Sequence, residues 1–236
     1  MSNGVLLVAG AGEGVGRSVA LRFAREGYAV ALAARNREKL ERLAAETGGR
    51  AFVADLSRER DVLSLFDAVE SGLGPIEVVA FVAATRVHAP FADLSLGDFE
   101  LSWRQGCLAG FLVAREAARR MLPRGRGTVI FTGSSASIAG RAGFAAFAAA
   151  KGGLRFMAQS MARELGPRGI HVATVLVDGA IDSPMMWRDY RDRMEKLGAH
   201  GAVHPDAIAE AYWQLHRQPR SAWSFEIDLR PWSQPF

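Results

Sequence analysis

The sequence is short of several residue types, and each shortage closes off a class of function. Cys107 is the only cysteine in 236 residues. No internal disulfide and no cysteine-based zinc site can form, and a reducing cytoplasm is the expected compartment. Lysine is nearly as scarce. Only Lys39, Lys151 and Lys196 occur, so the formal charge of +4 rests on arginines scattered among acids. A protein that tracks nucleic-acid phosphates concentrates its cations, so no nucleic-acid partner is expected. No uncharged apolar run reaches the roughly 18 residues of a membrane span, and no membrane partner is expected either. The opening MSNGVLLVAGAG lacks a basic region ahead of its apolar stretch and reads as a first strand rather than a signal peptide.

What the chain does have is alternation. Short apolar runs at 5–9, 28–34, 50–54, 76–84, 128–132, 171–177 and 224–229 read as strands. Longer amphipathic stretches at 17–25, 37–46, 61–71, 98–122, 151–165, 185–196 and 206–216 read as helices. Strands that are apolar almost throughout are buried on both faces. The expected fold is therefore a doubly wound parallel α/β sheet of Rossmann type with about seven strands. No repeat, low-complexity tract or linker interrupts residues 1–236, which predicts a single domain.

The first strand runs into Gly10-Ala11-Gly12-Glu13-Gly14-Val15-Gly16 and then a helix. A pyrophosphate needs backbone N–H groups at close range and no side chains in the way, and a helix N-terminus adds a favourable partial charge. Gly-x-Gly-x-x-Gly is not met, because the third glycine would fall on Val15; Gly-x-x-x-Gly-x-Gly fits through Gly10, Gly14 and Gly16. A tight structural turn or a methyltransferase loop would also tolerate such glycines. The second strand ends at Ala34 and continues into Arg35 and Asn36 without an acid. An NAD site places a carboxylate there for the ribose 2′-hydroxyl, whereas a 2′-phosphate calls for cations. NADP(H) is thus favoured over NAD(H), although Glu13 argues the other way and Arg35 equally suits a solvated helix start.

These motifs, with Met121-Leu122-Pro123, Gly127-Thr128-Val129-Ile130, Ser134-Ser135, Arg163-Glu164-Leu165 and Gly169-Ile170-His171-Val172, give the chain its resemblance to the classical short-chain dehydrogenase/reductase family over roughly residues 4–184. The resemblance implies an active site of serine, Tyr-x-x-x-Lys and a helix asparagine. The serine falls on Ser134 and the lysine on Lys151, which also holds the nicotinamide ribose in that family. The tyrosine position holds Phe147 and the asparagine position Gly106, and the usual Asn-Asn-Ala-Gly reads Phe81-Val82-Ala83-Ala84. Asp55 and Leu56 match the pair that borders the adenine. Gly179, Ile181 and Ser183 match the turn near the nicotinamide, with Asp178 where proline is usual. Oligomers are common in the family. A homodimer or homotetramer is expected, with small residues such as Ala145, Ala149 and Gly153 permitting close helix approach.

Phenylalanine neither donates nor accepts a proton, and losing a general acid costs ~10²–10⁴ in rate. Tyr28, Tyr190 and Tyr212 lie in segments that offer no evident substitute. The expected function is NADP(H)-dependent hydride transfer to a small apolar substrate, an activated alkene fitting better than a carbonyl. The alternative is an inert nucleotide-binding relative that serves as a sensor or structural subunit. His88 reads as a solvated loop residue, and His200 and His204 lack the partners a metal would need. The segment 223–236 either docks on a neighbouring subunit or completes its own domain.

Overall fold

The structure, a computed structural model, describes residues 3–235. Seven parallel strands form one sheet in the order β3-β2-β1-β4-β5-β6-β7. They are β1 (Val5–Ala9), β2 (Ala29–Ala34), β3 (Arg50–Val53), β4 (Ile76–Phe81), β5 (Gly127–Ser134), β6 (Ile170–Val177) and β7 (Glu226–Leu229). The helices are α1 (Val15–Arg25), α2 (Arg37–Thr47), α3 (Glu59–Leu73), α4 (Leu96–Trp103), α5 (Ala109–Met121), α6 (Ala145–Leu165), α7 (Pro184–Asp189), α8 (Arg191–Leu197) and α9 (Pro205–Arg217). The expected doubly wound architecture is what the chain adopts.

Two apolar layers cover the sheet. One packs Leu7, Val79 and Phe131 against α3, α5 and α6; the other packs Leu6, Val8 and Val175 against α1, α2 and α9. Successive strand residues point to opposite faces, so a strand feeding both layers has to be apolar throughout. The strand order reverses between β1 and β4, and the crevice at that reversal is where open α/β sheets bind ligands.

Four expected boundaries are corrected. The stretch 98–122 is not one helix: α4 and α5 are separated by a π-helical turn, Arg104–Leu108. The extra residue re-aims the chain so that Gly106 and Gly110 face α6. A Cβ at Gly106 would stand 3.0 Å from the Ala150 Cβ, and one at Gly110 only 2.3 Å from the Leu154 Cδ1. The stretch 185–196 breaks at Tyr190, whose φ of −140° and ψ of 40° separate α7 from α8. β4 stops at Phe81, where its pairings with Ala9 and Phe131 end. Helix α6 begins at Ala145, six residues ahead of the 151–165 stretch but two inside the 143–165 helix that the small residues Ala145, Ala149 and Gly153 imply, the alanine-rich run favouring helix strongly.

Candidate active site

The phosphate turn follows β1 directly. Gly10 has φ +93°, and its amide and that of Ala11 both donate to the Ala33 carbonyl, at 2.9 and 3.0 Å. A Cβ at Gly10 would lie 2.5 Å from the Cβ of Ala83, so only glycine lets the turn lie against the segment that follows β4. Gly12 opens onto free space, and Gly14 caps α1. Val15 begins the helix, and a Cβ on Gly16 would crowd the Ala11 Cα at 3.1 Å. The turn thus presents bare backbone at a helix start, as a pyrophosphate requires.

Around this turn the residues read from the sequence are partly assembled. Arg35 is exposed just past β2 and acts electrostatically on Asp55. Burial pushes the Asp55 carboxyl up. Hydrogen bonds from the Ser57 hydroxyl and amide (2.7 and 3.0 Å), helped by Arg35 and Arg58, more than offset it and hold the group below the usual range. Leu56 is buried beside it. The Asn36 side chain caps α2 by accepting from the Lys39 amide at 2.9 Å, so its oxygen already has a partner. Ala84 is exposed. Glu13 and Ser183 share a cavity of about 600 Å³ with Arg17, Lys39, Arg42 and Trp187. Ser183 is buried, caps α7, and its Cβ lies 3.3 Å from where a Gly14 Cβ would stand. The loop after β6 therefore closes over the phosphate turn.

Gly179 has a φ of +155° and packs against Pro231, whose Cδ would meet an added Cβ at 2.7 Å. Ile181 bridges to Val203. Asp178 is tied to Arg141 at 3.7 Å and Arg230 at 3.6 Å, which links the loops after β5 and β6 to the C-terminal segment. That carboxylate link carried no signal in the sequence.

The second half of the site lies on β5 and α6. Phe147 and Lys151 are one turn apart on α6 and share a face, with the ammonium 5.9 Å from the ring centroid. Lys151 is 3% exposed and donates to the Thr132 carbonyl at 2.7 Å. Burial lowers its pKa to about 8. Ser134 ends β5, and its amide donates to the Ser137 hydroxyl at 3.1 Å. The Ser134 hydroxyl is buried and faces the Ser137 amide across the same capping box, and its own proton has no acceptor within hydrogen-bond distance among the described residues. Leaving a buried hydroxyl wholly unsatisfied costs about 1–3 kcal/mol, and the capping box offsets part of that here.

The three tyrosines occupy distinct places. Tyr28 lies just before β2, at the opposite end of the sheet, bonded to His216 Nε2 at 2.6 Å. Tyr212 is fully buried in the α9 layer, its hydroxyl 2.6 Å from the Thr132 side chain. It and Lys151 approach the same residue, one through the side-chain hydroxyl and the other through the main-chain carbonyl. Burial pushes the Tyr212 phenol well above its usual pKa. Tyr190 is 44% exposed at the α7–α8 break.

Other expectations resolve as follows. His88 is exposed but not merely solvated: its ring packs on Phe144 at 4.7 Å. His204 caps α9, and no group of three metal-ligating side chains exists among the described residues. Gly153 faces Cys107 of its own chain, whose Sγ would be 3.0 Å from an added Cβ. That small residue lets α6 pack closely against the π-helical turn of its own chain. The C-terminal segment completes its own domain through β7 and Trp223, which stacks on His171 at 4.7 Å, while Trp232 stays 84% exposed. Phe236 lies outside the described residues. No helix among the described residues is long and apolar enough to cross a membrane.

Comparison with known proteins agrees with this geometry. A family model described as short chain dehydrogenase matches residues 4–194. A solved short-chain dehydrogenase from Rhodopseudomonas palustris is 41% identical, with a TM-score of 0.83 over 98% of this chain and 100% of that one. The glucose 1-dehydrogenase of Gluconobacter oxydans is 33% identical over 204 residues, 83% of this chain and 76% of that protein. The 3-oxoacyl-[acyl-carrier-protein] reductase of Rattus norvegicus is 33% identical over 183 residues, 77% of each. The chain spans only 32% of the longer Bacillus subtilis protein named uncharacterized oxidoreductase YuxG, at 32% identity over 219 residues and 89% of this chain. Bare glycine turn, buried lysine and matched relatives agree: the chain belongs to the short-chain dehydrogenase family of nicotinamide-dependent oxidoreductases.

Proposed function

We propose that the protein is an NADP(H)-dependent reductase of small, activated alkenes, with Phe147 where the family's general acid stands. The carrying observation is the pairing of Phe147 with a buried Lys151, whose ammonium binds the Thr132 carbonyl on the strand that ends at Ser134. When bound, NADPH supplies a hydride and leaves as NADP⁺, and one proton from water completes saturation of the substrate's double bond. Gly10, Gly12 and Gly14 would leave room for the pyrophosphate, and Lys151 would hold the ribose. The Ser134 hydroxyl would donate to the carbonyl oxygen that activates the alkene. An enolate protonated by solvent needs fewer placed donors than an alkoxide, so the missing phenol is tolerated there and not in ketone reduction. The expected result is NADPH oxidation with an enone and none with the matching saturated ketone. An inert cleft that binds NADPH but reduces neither would favour the sensor reading instead.

Nucleotide choice rests on Arg35, with Lys39 and Arg42 in the neighbouring cavity. NADPH is expected to bind at least about tenfold more tightly than NADH, since a charge-assisted contact contributes roughly 1.5–3 kcal/mol. Arg35→Asp should reverse the order in a fluorescence titration. Equal affinities in the unaltered protein would show that Glu13 cancels the arginine.

The assembly is proposed to be a homodimer or homotetramer of closed symmetry. Phe111 on α5 and Phe156 on α6 leave large apolar side chains exposed, at 41% and 65%. Light scattering at micromolar concentration should give twice or four times the chain mass, and a monomer would refute the assembly.

A further inference from the structure

The rim of the cleft carries a charge pattern that the proposed reaction does not use. Residues 78–92 and 117–163, which follow or include β4 and β5, contain no aspartate or glutamate. Within them Arg86, His88 and Arg141 stand exposed near the C-terminal ends of the strands. Arg86 is the best placed. Its guanidinium carbon lies 4.6 Å from the ring centroid of Phe144, at the start of α6, and 5.6 Å from that of Tyr190, at the α7–α8 break. The three residues come from the segments after β4, β5 and β6, so the contact spans the mouth of the crevice. Arg86 makes no ion pair or hydrogen bond among the described residues. Two aromatic neighbours hold the planar group by cation–π attraction and leave its edge N–H donors free, the arrangement suited to a planar oxyanion. The acids of the opposing loop are engaged elsewhere: Asp178 with Arg141 and Arg230, Asp182 with the Trp187 indole at 2.6 Å, Asp189 with Arg188 at 2.7 Å.

We infer that Arg86 is a specificity residue that recognises a carboxylate on the substrate. Its apolar, reactive part enters over Phe147 while its anionic end stays at the rim. This rests on the alkene-reductase reading for the reaction, but its test does not need turnover. The probes are 4-oxopentanoate and its methyl ester, titrated by calorimetry or ligand-observed NMR into protein saturated with NADP⁺. The acid should bind at least about tenfold more tightly than the ester, the size of one charge-assisted contact. Arg86→Gln should erase that difference and leave ester and NADP⁺ affinities unchanged, while Arg86→Lys should keep part of it. With 4-oxopent-2-enoate and its ester as substrates, the same variant should raise KM for the acid only. Equal binding of acid and ester by the unaltered protein, or no binding of either, overturns the inference. So does an equal loss of both ligands in Arg86→Gln, which would mean that the arginine only staples Phe144 to Tyr190. Carboxylate selectivity without any NADPH oxidation would leave Arg86 in place and remove only the reductase reading.

Discussion

Lys151→Met is expected to make the unliganded protein more stable while removing most of its function. The ammonium is almost wholly buried, and its pKa of about 8 reflects desolvation. A depression from the ordinary 10.5 corresponds to about 3 kcal/mol of destabilisation wherever both folded and unfolded chains carry the proton. Methionine fills similar space without charge. It leaves the Thr132 carbonyl without its donor, a loss of about 1 kcal/mol. The variant should therefore gain about 2 kcal/mol near pH 7 in urea unfolding. Between about pH 8 and 10.5 the unfolded lysine still holds a proton that the folded one has released. Stability of the unaltered protein rises with pH across that window, and the variant's advantage should shrink there. Function moves the opposite way. Under the proposed function, loss of the ribose contact and of the cleft's buried cation should lower NADPH affinity and alkene turnover together, by about 10² in kcat/KM, the low end for a catalytic group. A variant less stable at pH 7 with its activity intact would show that Lys151 is structural.

The fold was legible because β1, β4 and β6 are apolar on both faces, which only a covered parallel sheet explains. Two helix breaks were hidden for local reasons. The π turn at Arg104–Leu108 preserves amphipathic spacing on either side of one extra residue, and Tyr190 is not a helix breaker by type. In the site, the family resemblance singled out Phe147, Lys151 and Ser134, and the structure puts the first two one turn apart on α6 and the third at the end of β5. Glycines were harder to read. Gly10 and Gly179 both have positive φ, yet one approaches Ala83 at the phosphate turn and the other makes room for Pro231, and no sequence pattern separates these causes. Arg86 went unnoticed because its partners, Phe144 and Tyr190, are 58 and 104 residues away along the chain and meet it only through the sheet's topology.

Phe147 is the residue on which alkene rather than ketone reduction depends, and one substitution tests that dependence directly. Phe147→Tyr adds a hydroxyl to a ring that already lies beside Lys151, with Ser134 ending the adjacent strand β5. The nearby ammonium favours the phenolate and draws the phenol's pKa down toward the working range. The variant should stay folded, keep its NADPH affinity, and reduce a simple saturated ketone that the unaltered protein leaves untouched. The gain should be about 10² above background, the low end for a restored general acid, because Gly106 stands where the resemblance implies an asparagine. The decisive measurement is NADPH consumption by both proteins against an enone and its saturated ketone. The account predicts enone reduction by both and ketone reduction only by Phe147→Tyr. Ketone reduction by the unaltered protein at a rate matching the variant would contradict it, as would a folded, NADPH-binding variant that reduces no carbonyl.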